Sequence, residues 1–243
     1  MRLLSYNIHK GIGGQDRRYR LDRILDVIRH ENPDLICLQE VSRGAPRSYG
    51  HDQSRLMAGY MEAFADLFQL NVHWKEGGYG NQILSRWPLL NPHQILLKFE
   101  NKKARGGQIA TVETPEGPLL LVNWHLGLGE LERHWQVGHL LGHPRFLESA
   151  HLPAILAGDF NDWRDTLAIG PLSALGFLQA TSPPSRFRSF PAYHPVASLD
   201  KAFHRGSVIL HQARIVHSRM TRTASDHLPL VVDFSLGASV PAP

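Results

Sequence analysis

Side chains able to move protons and hold cations recur in this sequence at the ends of apolar runs. Ser5-Tyr6-Asn7-Ile8-His9-Lys10-Gly11 closes the first run with an amide, and Leu38-Gln39-Glu40-Val41 closes the second with a carboxylate. An ionised group leaving a buried strand is costly unless it is paired. Glu40 therefore reads either as half of a salt bridge or as a hard-oxygen ligand for Mg²⁺, with the Asn7 amide nearby. Mg²⁺ uses one or two carboxylates and keeps water on its other positions. Leu121-Val122-Asn123-Trp124-His125 ends a third run, where a lone His suits a structural hydrogen bond as well as it suits catalysis. Ile155-Leu156-Ala157-Gly158-Asp159-Phe160-Asn161-Asp162 is more specific. An apolar strand stops at Gly and then presents a carboxylate and an amide two residues apart, on one face of an extended chain. An Asx-rich turn is the alternative. Asp200 begins a further strand, and Asp226-His227 precede the last one. A carboxylate beside a His raises its pKa and fixes its tautomer.

Other chemistries lack their residues. There is no serine-nucleophile elbow, and Gly11-Ile12-Gly13-Gly14 lacks the Lys-Ser/Thr of a phosphate loop. His139 and His143 stand four apart without the Glu of a zinc-protease helix and read as helix-surface residues. Cys37, alone in the apolar run Leu35–Leu38, cannot form an internal disulfide and reads as buried. The net charge of +4 and pI near 9.4 favour anionic partners, or simply serve solubility. No apolar run approaches the roughly 18 residues a membrane span needs. The N-terminus has the pattern of a strand and not of a signal peptide. Together these features point to the cytoplasm.

The elements that must position these residues follow from periodicity. Helices are expected over Arg20–His30, over Gln53–Leu70 (Leu56, Met57, Tyr60, Met61, Phe64, Leu67, Phe68), and over Glu130–Ala150 with an end near Pro144. Arg164–Leu175 is expected to be helical in part, broken at Gly170-Pro171. Strands are expected at Leu35–Leu38, at several places between Val72 and Val122, and at Ala154–Ala157, Leu199–His204, Ser207–Val216 and Leu230–Phe234. Thr114–Pro118 reads as a hairpin turn, and Gly77-Gly78 and Trp87-Pro88 as breaks. Many strands with interspersed helices imply an α/β fold of two sheets packed face to face, with helices outside. One domain is expected over residues 1–236, with a frayed tail at 237–243. Motifs at strand ends would then meet at one rim.

The order of the strings Tyr6-Asn7, Leu38-Gln39-Glu40, Asn123-Trp124-His125, Gly158-Asp159-Phe160-Asn161, Leu199-Asp200 and Ser225-Asp226-His227 resembles the endonuclease/exonuclease/phosphatase superfamily. Gly80-Asn81-Gln82-Ile83-Leu84-Ser85-Arg86-Trp87-Pro88 is similar to its central strand, and the likeness is greatest to small stand-alone bacterial members. The resemblance implies a four-layer α/β sandwich, two mixed β-sheets flanked by helices, acting on a phosphoester with Mg²⁺ or Mn²⁺. It implies that Glu40 ligates the metal with Asn7 beside it and Asp226 in the neighbourhood. Asp159 would orient or deprotonate the attacking water, and Asn161 would hold a phosphate oxygen. His227, oriented by Asp200, would contact the phosphate and share protons, and His125 would stabilise the scissile phosphate or leaving oxygen. Gly158 is expected to let the phosphate approach. A catalytically silent phosphate-binding module on the same fold is the alternative, although every implied position is filled.

The ester is narrowed by departures from known members. The Trp-Cys-Asp-Arg element of inositol polyphosphate 5-phosphatases is replaced by Ser198-Leu199-Asp200-Lys201, and no long apolar insertion suited to a sphingomyelinase is present. The basic loop Ser42–His51 carries Tyr49 and reads either as a grip on a nucleic-acid backbone or as a solvated loop. A phosphodiester is expected, nucleic acid ahead of phospholipid. With Mg²⁺, turnover of bis(p-nitrophenyl) phosphate should therefore exceed that of p-nitrophenyl phosphate. A preference for monoesters across a wider panel would reverse this reading.

Overall fold

The computed structural model describes residues 1–237. Its core is two six-stranded sheets. The first contains β1 (Arg2–Asn7), β2 (Leu35–Arg43), β3 (Ala65–His73), β4 (Gly78–Ser85), β11 (Val208–Ile215) and β12 (Leu230–Leu236), in the order β11-β12-β1-β2-β4-β3. The second contains β5 (Leu89–Leu96), β6 (Gly106–Thr114), β7 (Gly117–His125), β8 (Ala154–Asp159), β9 (Leu178–Gln179) and β10 (Asp200–Arg205), in the order β5-β6-β7-β8-β10-β9. Each sheet is mixed: β1 and β2 run parallel in one, β7 and β8 in the other, and the remaining pairs are antiparallel. Helices α1 (Leu21–Glu31), α2 (Gln53–Tyr60) and α6 (Arg219–Ala224) accompany the first sheet. Helices α3 (Glu130–Leu141), α4 (Pro144–Glu148) and α5 (Pro171–Ala174) accompany the second. This is the expected four-layer α/β sandwich. No helix among the described residues is long and apolar enough to cross a membrane.

The continuous apolar runs are explained by burial on both faces of each sheet. Successive side chains on a strand point to opposite faces. Leu3, Leu35, Cys37, Leu119, Leu121, Ile155 and Ala157 therefore meet between the sheets. Their alternates Leu4 and Tyr6 pack with Ile24, Val27 and Ile28 of α1, while Leu120, Val122, Trp124 and Leu156 pack with Val137 and Leu140 of α3. α1 presents that apolar face at helical spacing and ends where Asn32 turns left-handed, three residues before Leu35.

The expected helix over Gln53–Leu70 is corrected. It stops at Tyr60; Glu62 turns left-handed (φ 48°), and Ala65–His73 becomes β3. The exposed edge of β4 decides this, because Ala65↔Ser85 through His73↔Gly78 satisfy backbone groups that β4 would otherwise leave unpaired. In the Arg164–Leu175 window only Pro171–Ala174 is α-helical, starting at the anticipated break. β2 extends beyond the expected Leu38 to Arg43, past a bulge. Of the tail expected at 237–243, all but Gly237 lies outside the described residues. The Gly237 N–H donates to the Ser207 carbonyl at 2.7 Å.

Leu121 is fully buried between the sheets. Leu121→Ala should lower unfolding free energy by about 2–5 kcal/mol, read as a lower urea midpoint at unchanged slope. An unchanged midpoint would contradict this packing.

Candidate active site

At the ends of the central strands the inter-sheet face turns from apolar to polar without changing its period. Leu3 is followed on that face by Ser5 and Asn7, Cys37 by Gln39, and Leu121 by Asn123 and His125. Ile155 and Ala157 are followed by Asp159, and Asp200 shares the face of Ala202. Register brings these ends together: Asn7 pairs with Gln39 on one sheet, and His125 and Asp200 both pair with Asp159 on the other.

Buried amides join the two ends. Gln39 Nε2 donates to Asn123 Oδ1 at 2.8 Å, across the sheets. The Asn123 amide donates in turn to Gln108 Oε1 (2.9 Å) and the carbonyls of Leu38 (3.0 Å) and Gln82 (3.1 Å). Above this network lies Asp159, whose Oδ2 accepts from Asn7 Nδ2 at 3.0 Å. The same oxygen is 3.4 Å from His125 Nε2 and 3.8 Å from His227 Nε2. Asp159 Oδ1 accepts from the Asn161 backbone N–H at 3.1 Å. The other ring nitrogen of His227, Nδ1, lies 2.8 Å from Oδ2 of fully buried Asp200, and Phe190 packs against the ring with centroids 4.9 Å apart.

The two histidines are electrically different. Arg105 Nη1 donates to His125 Nδ1 at 3.2 Å. Arginine has no acceptor, so this nitrogen is unprotonated and the proton of the neutral ring is on Nε2, facing Asp159. Burial, reinforced by Arg105, pulls His125 well below the usual imidazole range. His227 is pushed the other way, up to about 10. Burial opposes its charge, but the Asp200 and Asp159 carboxylates outweigh that cost. Burial raises the Asp159 carboxyl to about 6, against the pull of His227 and the Asn7 hydrogen bond.

Glu40 reaches the rim differently. By alternation it would face the helices. The register of β2 on β4 shifts between Leu38 and Val41, and Glu40 takes a left-handed backbone (φ 57°). Such strain costs about 1–3 kcal/mol and collects at functional sites. Its carboxylate pairs with the Lys10 ammonium, on a turn where His9 and Lys10 are also left-handed (φ 45° and 61°). Burial opposes the charge of Glu40, but Lys10 more than compensates and its pKa is lowered. Asp226 Oδ2 lies 3.7 Å from His9 Nδ1 on the same turn.

No group of three or more His, Cys, Asp or Glu side chains forms a metal cage among the described residues. The donor set is instead one strained, half-buried carboxylate that already attracts a cation, with Asn7 one register position away. This fits a hard, largely hydrated ion such as Mg²⁺ or Mn²⁺ and not a closed zinc site.

All eight residues singled out in the sequence stand at this rim or touch a residue that does. Two have further attachments. Asn161 Nδ2 donates to the Leu126 carbonyl at 3.0 Å, and Asn7 Oδ1 accepts from the His9 N–H at 3.0 Å. The reason expected for Gly158 is corrected. A Cβ there would lie 2.0 Å from the Trp124 carbonyl oxygen, and φ is +147°. Close approach of neighbouring backbone, not of a phosphate, requires glycine. Lys10, Arg105 and the bridging amides were missed. Arg105 precedes β6 in a loop with no motif, and the sequence carries no mark of the turn that aims Lys10.

A family model described as Endonuclease/Exonuclease/phosphatase family matches residues 4–227, and the chain belongs to that family. Its members are mostly hydrolytic phosphoesterases and generally depend on a divalent metal. The chain is 29% identical to the Escherichia coli K12 protein YbhP, over 97% of this chain and 96% of that one. Its fold is similar to an endonuclease/exonuclease/phosphatase from Beutenbergia cavernae (TM-score 0.79, 23% identity, 100% of this chain and 73% of that chain). It is also similar to the human Nocturnin catalytic domain with bound sulfate (TM-score 0.73, 22% identity, 98% and 93%).

Glu40→Gln removes the charge and keeps the shape. Calorimetric titration of this variant with Mg²⁺ or Mn²⁺ should show binding lost while circular dichroism shows the fold retained. Wild-type affinity would move the metal elsewhere.

Proposed function

We propose that the chain is a metal-dependent phosphodiesterase, with Glu40 holding Mg²⁺ or Mn²⁺, Asn7 and Asp226 near it, and Asp159, His125 and His227 acting on the phosphate. One observation carries this reading: N–H groups of Asn7 and His125, at the ends of strands from the two sheets, and of His227, in the loop before β12, converge on a single Asp159 oxygen. Donors so arranged can meet a phosphate oxygen as well as a carboxylate oxygen. The sulfate on the Nocturnin domain, a tetrahedral anion, is in keeping with that preference.

The residues divide the work. Asp159, raised to about 6 by burial, orients a water and accepts its proton as the water oxygen bonds to phosphorus, while the phosphorus–oxygen bond to the leaving group breaks and that oxygen takes up the His227 Nε2 proton. Asn161 steadies it through the backbone hydrogen bond to Oδ1, and its own side chain is anchored by Nδ2 donating to the Leu126 carbonyl. His125 is neutral and donates from Nε2 without giving up the proton. His227, held charged and oriented by Asp200, offers a cationic donor as negative charge builds on the phosphate oxygens, and can share its proton with them. The cation, when bound, supplies charge neutralisation on the phosphate. Arg105 acts at one remove by fixing the His125 tautomer.

Asp159→Asn and His227→Ala should each lower kcat on bis(p-nitrophenyl) phosphate by about 10²-fold or more. Because both act on one phosphate, the double variant should fall by less than the product of the two. Asp200→Asn should cost less than either. Near-normal turnover in a folded single variant would refute the assignment.

A further inference from the structure

Beside the Glu40 corner lies a cleft of about 550 Å³ whose lining includes Arg17, Arg18, Arg47, Tyr19 and Tyr49. It adjoins the reaction centre through the His9–Gly11 turn. The Tyr19 ring packs where a Cβ on Gly11 would reach it at 3.0 Å, and Gln53 Nε2 ties the Lys10 carbonyl at 2.7 Å. Neighbouring arginines are neutralised, Arg20 by Asp22 at 2.7 Å and Arg23 by Asp16 at 2.8 Å. Arg17, Arg18 and Arg47 make no ion pair among the described residues and are exposed. Tyr49 is 77% exposed. It is held edge-on to Tyr19 (centroids 5.5 Å apart, 72°), and the Tyr19 hydroxyl is 2.9 Å from His51 Nδ1. Arg17 and Tyr49 are both left-handed (φ 57° and 54°), a conformation bulky side chains adopt only when the surroundings enforce it.

We infer that this cleft is a second subsite that takes single-stranded nucleic acid leaving the reaction centre, with phosphates on Arg17, Arg18 and Arg47 and an unpaired base on Tyr49. The inference rests on the phosphodiesterase reading and names its substrate class. Unpaired guanidinium groups in a concave cleft match successive phosphates. A pre-positioned ring with an open face matches a base, and stacking of this kind accepts any base. In a duplex the base faces are already stacked, which disfavours double strands. A lipid surface is better met by convex apolar tips than by a concave, arginine-lined cleft.

The test is fluorescence anisotropy of a labelled twelve-residue oligodeoxythymidylate with the full chain in EDTA, so that binding is read without cleavage. Tyr49→Ala should weaken binding by about fivefold or more. The triple variant Arg17→Ala/Arg18→Ala/Arg47→Ala should weaken it by about tenfold or more and flatten its salt dependence. A control triple variant with the same charge loss, Arg145→Ala/Arg219→Ala/Arg222→Ala, should weaken it less than the cleft variant, and a blunt duplex of equal length should bind more weakly than the single strand. Equal losses in the two triple variants, no loss with Tyr49→Ala, tighter binding of the duplex, or an effect confined to phosphatidylserine vesicles would each overturn the inference. Wild-type hydrolysis of bis(p-nitrophenyl) phosphate is measured separately. Its absence, with cleft-dependent oligonucleotide binding intact, would remove the phosphodiesterase reading and leave the subsite standing.

Discussion

A β-strand sends alternate side chains to opposite faces, and this period of two is the constraint on which the rest of the molecule depends. Position 3 of β1 shares a face with 5 and 7, position 121 of β7 with 123 and 125, and position 155 of β8 with 157 and 159. The face that buries Leu3, Leu121 and Ile155 between the sheets is therefore the face that presents Asn7, His125 and Asp159 at its end. The site is the polar margin of the hydrophobic core. A one-residue register slip in any of these strands would dismantle both together.

Placing charged and polar side chains at the margin of a core raises a solvation problem, which buried amides meet in large part. Gln39, Asn123 and Gln108 are fully buried, and an unmatched amide at such depth would be costly. Each donates to a partner across or along the sheets, and among the described residues Gln39 Oε1 alone of the three side-chain oxygens accepts from none, so the layer beneath Asp159 is held by directional bonds where the apolar contacts end. The low dielectric that makes unmatched groups expensive also separates the two histidines. His125, against a guanidinium, stays neutral; His227, between carboxylates, stays charged. Two chemically identical side chains thus become different reagents through what stands behind them.

The Glu40 corner breaks the alternation. A bulge and a left-handed residue turn a side chain that should face α1 toward the rim, and a strained His9–Lys10 turn rises to meet it. Strain on both sides of one ion pair marks a place where position matters more than local stability. The polar face around Asp159 follows from the regular part of the fold, and the Glu40–Lys10 corner from its principal irregularity.

Local pattern in the sequence determined the sandwich class, most strand positions, α1, the hairpin at Thr114–Pro118, and the set of polar residues at strand ends. Hydrophobic period and turn chemistry are local properties, and each of these features is local. What only the tertiary structure decided depends on partners distant in the chain. Residues 65–73 are a strand because β4 offers an unpaired edge, although Phe64, Leu67 and Phe68 keep helical spacing with the residues before them. Gly158 is glycine because the Trp124 carbonyl passes close by, a contact between two strands far apart in sequence. Arg105 behind His125 and Lys10 on Glu40 carry no motif, since nothing near them in the chain records what they face. Residue types announce which chemistry is available; charge state, tautomer and aim are set by distance, and distance between remote residues exists only once the two sheets have closed on each other.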